Sequence, residues 1–336
     1  MRAIVINSYM HPSDRTVSND APEPTLGKNN VLVEVESAAL NFFDILQSQG
    51  KYQNQPPLPY VLGAELAGTI SPHSPIPKGC KLKPGDRVFG YAQGAFAERA
   101  ACDYRTLFPI PKGMTFDQAA GLYVTYPTSY EGIVNRGETK PGEWVLVHAG
   151  AGGVGLVAVQ IAKALGAKVI ATAGSPPKLE ICKSIGGADE VLDYTKSSWQ
   201  KEVLRITGGK GVDVVYDPVG LIKDSLKCIA WKGRAVVVGF AAGKIEQVPT
   251  NLILLKNVSL VGIHWGAYLK NEPGHVPDVW KGIFKLFESG KLIPAVYDPP
   301  YMGLDSVPRA LVDLENRKTW GKAVVRVREM PERAKL

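Results

Sequence analysis

Apolar residues fall along the middle of the chain in short blocks of two alternating kinds. Val145, Leu146 and Val147 form a run rich in β-branched residues, the pattern of a strand buried on both faces. Leu156, Val159, Ile161, Ala162 and Leu165 then recur at helical spacing, and Gly166 stands where a helix takes a left-handed cap. Residues 168–173 are apolar and β-rich again, so strand, glycine turn, helix and strand fit within 144–175, the length of a βαβ unit. The alternation continues with a helix over 179–185 stopped by Gly186 and Gly187, a strand at 190–192, and a helix over 199–206 stopped by Gly208 and Gly209. A strand at 212–216 closes in Asp217-Pro218-Val219-Gly220; further strands are predicted at 235–238 and 259–264. This succession predicts an α/β fold with a doubly wound parallel sheet.

The first 122 residues read differently. Residues 4–7 and 31–36 have strand character, and Pro22, Pro24, Pro56, Pro57, Pro59, Pro72, Pro75 and Pro77 punctuate the rest. One short helical turn is predicted near 41–47, and the runs from Gly85 to Phe89 and Gly94 to Glu98 read as turns entering strands. Short strands with frequent turns predict a small irregular β-barrel. Near the other end, 279–287 is patterned as an amphipathic helix returning to that barrel, 323–327 as a strand, and 330–336 as a charged tail. No internal repeat or low-complexity tract is present.

The glycines between the first two middle strands are spaced G-x-G-x-x-G as Gly150, Gly152 and Gly155, with Gly153 and Val154 between them. The first permits a tight turn, the second lets a pyrophosphate approach the backbone, and the third packs helix against strand. The helix that opens there points unpaired N–H groups and about half a positive charge at a bound diphosphate. The motif alone is weak; a strand before it and a helix after it make it a dinucleotide site. An NAD site carries an acidic residue at the end of the second strand, and this chain has Ala173, Gly174 and Ser175 there. Ser175, Lys178 and Tyr194 suit a 2′-phosphate, which favours NADPH over NADH, since a lysine–phosphate contact is worth about 1.5–3 kcal/mol. The alternative is that Ser175 only caps the helix beginning at Pro176 and Pro177. Ligands of such sheets lie beyond the strands' carboxyl ends, so Gly239 and Phe240 are expected to border the nicotinamide.

Composition narrows the classes. No run approaches the ~20 apolar residues of a membrane span, and the opening residues resemble neither a signal nor a transit segment. A net charge of +7 is spread along the chain without a basic block, which argues against a nucleic-acid partner. Cys80, Cys102, Cys182 and Cys228 are scattered without C-x-x-C spacing, so free thiols and a cytoplasmic location are expected.

Four segments, Asn41-Phe42-Phe43-Asp44, Gly63-Ala64-Glu65-Leu66-Ala67-Gly68, Lys83-Pro84-Gly85-Asp86-Arg87-Val88 and 147–155 (VHAGAGGVG), occur in that order. Together they resemble the medium-chain dehydrogenase/reductase superfamily, and within it the zinc-free quinone oxidoreductase (zeta-crystallin-like) branch. The resemblance implies a GroES-like domain from 1–122 and 268–336 around a Rossmann domain at 123–267, with the active site in the cleft between them. Zinc-dependent relatives carry a Cys near the position of Asn41 and a His where this chain has Ala64; the closely spaced four-cysteine loop of a structural zinc is also missing. No metal site is therefore expected, and the implied reaction is reduction of an activated acceptor, a quinone or enone, with hydride from NADPH.

From the same branch, Asn41 is expected to hydrogen-bond the acceptor oxygen and Tyr52 to orient the acceptor or donate a proton, with Asp44 holding their loop. The bland alternatives are helix capping for Asn41 and Asp44 and a barrel aromatic for Tyr52. Thr128 is expected near the nicotinamide, or else as an N-cap, and Lys322 and Arg317 at the cofactor phosphates. The last middle strand is expected to pair with a second copy as a homodimer. Three functions compete: a quinone oxidoreductase, an enone or 2-alkenal reductase on the same scaffold, and a non-catalytic NADPH-binding structural or RNA-binding protein.

Overall fold

The computed structural model describes residues 1–243 and 245–328; the charged run at 330–336 lies outside them. The chain divides into two compact units, residues 1–123 with 296–336 and residues 124–295.

In the first unit the β-branched run at 31–36 extends into a ten-residue strand, Asn30–Ala39, whose inward positions Val31, Val33 and Val35 are fully buried. It is the hub of a seven-stranded sheet, pairing antiparallel with Glu65–Ile70, with Arg99–Asp103 and, at its far end, with the chain's last described strand, Val324–Arg326. That return is pinned by Asp117, which accepts from Ser37 Oγ at 2.6 Å and Arg326 Nε at 2.7 Å. The predicted turn near 41–47 is a helix, α1 (Phe42–Ser48), lying between two of these strands in sequence. The barrel core gathers Ile4, Ile45, Leu62, Leu66, Phe96 and Val325.

The second unit holds a six-stranded parallel sheet. Its strands are β1 (Trp144–Val147), β2 (Lys168–Ala173), β3 (Glu190–Asp193), β4 (Val212–Asp217), β5 (Ile229–Val237) and β6 (Ser259–Gly262), in the spatial order β3-β2-β1-β4-β5-β6. The order reverses beside β1, the switch point where doubly wound sheets bind nucleotides. The helix after β1, α2 (Gly153–Ala164), is buried along Leu156 to Ala162, as its periodicity requires.

One expectation is corrected. The second crossing between units falls at 295/296, later than 267/268, because helix Val276–Glu288 packs inside the second unit. Its Val279, Trp280 and Ile283 are buried, its Phe287 ring lies 5.3 Å from that of Tyr126, and a Cβ on its Gly282 would strike the Tyr130 hydroxyl at 2.1 Å. Residues 122–136 form helix Leu122–Tyr130, with Pro127 inside it, followed by a π-helix, Glu131–Arg136.

Candidate functional site

The glycine turn follows β1 directly. Ala149 takes φ +47° and its carbonyl accepts from Gly152 N–H at 2.8 Å, folding the chain back on itself before α2 begins. Gly155 closes the turn: a Cβ there would lie 2.2 Å from the Ala149 carbonyl oxygen, so no larger residue fits. The first helical bond goes from Leu156 N–H to the Gly152 carbonyl, leaving the N–H groups of Gly153, Val154 and Gly155 ahead of it. Gly152, Gly153 and Val154 are partly exposed, so this cradle of amides is reachable by a diphosphate.

Because all six strands run parallel, the segments after their carboxyl ends share one edge of the sheet. Gly174 and Ser175 follow β2, next to the glycine turn. Ser175 is the N-cap of helix Pro176–Ser184, yet its side chain makes no capping bond. Tyr194 follows β3, and a Cβ on Gly174 would sit 3.6 Å from the Tyr194 hydroxyl, which brings the two together. Lys178 is partly buried one turn into the helix. No carboxylate ends β2. Gly239 and Phe240 follow β5, tied to the loop after β4 by Ala241 N–H on the Pro218 carbonyl at 3.0 Å; Phe240 is exposed. Thr128 lies within helix Leu122–Tyr130, its hydroxyl donating to the Val124 carbonyl at 2.7 Å, so the N-cap alternative is overturned.

Beneath this edge lies a residue that motif reading passed over. His148 is fully buried, its Nδ1 2.9 Å from Thr172 Oγ1 and its Nε2 2.8 Å from Ser225 Oγ, with the Trp199 ring at 5.2 Å in edge contact. Burial pushes its pKa down to about 4, against the pull of Asp217 and Asp224, so the ring is neutral. Asp217 is buried nearby and accepts from the N–H groups of Val219, Gly220 and Leu221. These two knots fix the segments that leave β1 and β4.

The first unit carries the other half of the predicted residues. Asn41 opens α1, and its side chain is drawn inward: Nδ2 donates to Glu65 Oε1 at 2.9 Å while Oδ1 accepts from Lys322 Nζ at 2.9 Å. Lys322 also donates to the Leu40 carbonyl at 3.0 Å and forms an ion pair with Glu65. Its ammonium has three N–H donors, and all three are used. Lys322 is thus corrected: expected at the cofactor phosphates, it is buried inside the barrel as the counter-charge of Glu65. Gly121 makes room for its stem, since a Cβ there would lie 2.8 Å from Lys322 Cβ and Cγ. Arg317, the other residue proposed for that role, is exposed.

Asp44 sits three residues into α1 with no solvent exposure. Its Oδ2 accepts from Asn41 N–H at 2.8 Å, the reciprocal half of a capping box. Burial raises its pKa to about 8; the Asn41 bond and Lys322 oppose this, and Glu65 adds to it. Tyr52 is half-buried and stacks on Phe43 of α1 at 5.3 Å. Burial and then Asp44 raise its pKa as well, so it holds its proton firmly. The structure thus brings Asn41, Asp44 and Lys322 together and adds Glu65, which the sequence showed only inside a motif. Among the described residues no group of three His, Cys, Asp or Glu is placed to hold a metal ion, and no helix is long and apolar enough to cross a membrane.

A GroES-like barrel closed by the chain's end and a six-stranded sheet with a glycine turn are the parts of a medium-chain dehydrogenase/reductase. Residues 27–112 match the family model of the alcohol dehydrogenase GroES-like domain, and residues 153–288 that of the zinc-binding dehydrogenase. The chain is 38% identical over 336 residues to a quinone oxidoreductase-like protein 2 homolog of Nematostella vectensis, spanning 98% of this chain and 89% of that protein. To the quinone oxidoreductase of Mus musculus it is 33% identical over 278 residues, 81% of this chain and 82% of the other. The structure of Escherichia coli quinone oxidoreductase complexed with NADPH superposes with a TM-score of 0.86 at 31% identity, covering 97% of this chain and 99% of that one. The chain belongs to the medium-chain dehydrogenase/reductase superfamily of oxidoreductases, in its quinone oxidoreductase branch.

Proposed function

We propose that this protein is an NADPH-dependent reductase of quinones that works without a metal ion. One observation carries the cofactor choice: β2 is followed by Gly174 and Ser175, with Tyr194 against Gly174 and Lys178 in the first turn of the next helix, and no carboxylate stands there to repel a 2′-phosphate. The amides of Gly153, Val154 and Gly155 would hold the diphosphate, with Gly150 and Gly152 allowing its approach, and Gly239, Phe240 and Thr128 would border the nicotinamide. Bound NADPH supplies a hydride. The E. coli and mycobacterial relatives solved as NADPH complexes support this assignment.

The acceptor side is proposed to rest on Asn41. One Nδ2 hydrogen is committed to Glu65; the other is available to an acceptor oxygen as negative charge grows there. Tyr52 would orient the ring of the acceptor. The ammonium of Lys322 already supplies the positive charge beside Glu65, and Ala64 offers no donor atom where zinc-dependent relatives have His. A second copy is proposed to pair along β6, whose outer edge has no strand partner among the described residues and which exposes Leu260.

The test is NADPH oxidation by the purified protein over a panel of ortho-quinones and α,β-unsaturated carbonyls, with metal analysis of the same sample. Turnover of quinones supports the reading. Turnover confined to the enones would favour an enone reductase, toward which the similarity to the solved CurK enoyl reductase (TM-score 0.85, 27% identity) also leans. NADPH binding without turnover on either panel, or stoichiometric zinc, would overturn it.

A further inference from the structure

Reducing a carbonyl-type acceptor needs a proton as well as a hydride, and the barrel contains one acid suited to give it. Asp44 is fully buried, and while its Oδ2 is bonded to Asn41 N–H, its Oδ1 has no hydrogen-bond partner. A carboxylate left in that state would be costly, whereas a carboxylic acid has a hydrogen to place on that oxygen. Gln47 follows one turn later on the same face of α1, and its Oε1 is also buried without a partner. So is Oε1 of Gln55, a residue bonded to Gln47 directly: Gln55 Nε2 donates to the Gln47 main-chain carbonyl at 2.9 Å, where the Tyr60 hydroxyl also donates at 2.8 Å. Asp44 and Gln47 lie three residues apart along α1 and Gln55 is tied to Gln47, and orphaned oxygens of this kind are what a buried water satisfies.

We propose that Asp44 is held as a neutral carboxylic acid and supplies the proton that accompanies hydride addition, through a buried water bonded to its Oδ1–H and to the side-chain carbonyls of Gln47 and Gln55. This rests on the reductase reading above. The acceptor takes a hydride, and one electron pair with it, from NADPH and becomes an oxyanion beside the Asn41 amide. The O–H bond of Asp44 breaks as the O–H bond of the reduced acceptor forms, and the resulting carboxylate recovers a proton from solvent by the same water. The redox change lies wholly between NADPH and acceptor.

The surroundings favour this acid over its neighbours. Lys322 has all three donors engaged, and Tyr52 is a weaker acid than Asp44. The charged and titratable groups that act on Asp44 are Lys322, which favours ionisation, and Glu65, which opposes it, while Tyr52, Tyr60 and Tyr91 in turn feel its charge. Helix Val307–Glu315 packs against α1 and lends Val307, Ala310 and Leu311 to the barrel core, and its Arg309 and Asp313 pair with each other. Loss of the Asp44 proton would leave Oδ1 a buried anion and strengthen the bond from Asn41 N–H, coupling its state to the residue that meets the acceptor.

Two measurements on the full chain decide the matter. Infrared difference spectra between wild type and Asp44→Asn, without cofactor, should show a carboxylic-acid carbonyl band at neutral pH that fades near pH 8. In turnover, Asp44→Asn keeps the acceptor for Asn41 N–H but has no acidic proton, so kcat should fall about 10²-fold and the alkaline limb of its pH profile should vanish, with KM little changed. Asp44→Glu should recover part of the rate. Gln47→Met, which removes one orphaned carbonyl, should lower kcat severalfold and raise the solvent isotope effect, a check that survives should Asp44→Asn fold poorly. An ionised Asp44 at neutral pH, or an unchanged pH profile in an active Asp44→Asn enzyme, would overturn the proposal. A wild-type protein inert toward every acceptor, with the acid band present, would instead overturn the reductase reading on which it rests.

Discussion

Each unit of this protein buries a polar cluster, and the two differ in how far their hydrogen bonds are closed. In the parallel-sheet unit, His148 is bonded at both ring nitrogens and Asp217 collects three backbone N–H groups. Such a network rigidifies the backbone that carries it, here the turns leaving β1 and β4. In the barrel, Lys322 commits all three of its donors to Leu40, Asn41 and Glu65, but Asp44 keeps an oxygen without a partner. The difference is between a network closed within the protein, which holds a shape, and a buried carboxyl oxygen left open, which calls for an explanation of its own.

That contrast can be broken most forcefully at Lys322. Lys322→Met leaves Glu65 buried without its counter-charge and should cost about 3–5 kcal/mol in denaturant unfolding, with much of the loss recovered in Lys322→Met/Glu65→Gln. If the single variant were near neutral, the cluster would not be the closed unit described. The sheet knot is probed by acid. His148 is neutral when folded, with its pKa pushed down to about 4, so the unfolded chain binds the extra proton first. Stability should therefore be full above the ordinary histidine pKa and decline as the pH falls through that value toward 4, by an amount on the order of 3 kcal/mol, and a His148→Gln variant should lack that decline.

Asp44 has the opposite sign. Its folded pKa lies above the unfolded one, so its contribution is present in acid and is lost as the pH rises toward 8. Asp44→Asn should therefore gain on the order of 5 kcal/mol on wild type in thermal unfolding between acid and alkaline pH, a stability cost that function would explain. The smallest effect expected is on the sheet's open edge. Lys178→Ala should weaken NADPH binding about tenfold or more by calorimetry and leave NADH nearly unchanged; equal losses would move the 2′-phosphate elsewhere.

The same two regions show what a sequence discloses. The β–α alternation and the glycine turn are local patterns, carried by neighbours within one βαβ unit, and they appear in the structure where their periodicity places them. Asn41 and Asp44 were visible too, as a capping pattern. Lys322 was misplaced because its partner Glu65 is 257 residues away, and no spacing rule links such positions. Helix Leu122–Tyr130 has no counterpart in the sequence pattern: Pro127 lies inside it, and the fold accommodates the proline ahead of a π-helix. His148 carried no signal beyond its place in the glycine motif, since Thr172 and Ser225 reach it only after the sheet assembles.

The strand Val324–Arg326, which completes the barrel begun by Asn30–Ala39, sets the sequence of events at the ribosome. The nascent chain displays its amino-terminal sheet with Glu65 still lacking Lys322, while the contiguous 124–295 portion has everything it needs on emergence. The barrel is thus begun first and locked last: Lys322 and Val324–Arg326 reach it only after the whole 124–295 unit has been translated.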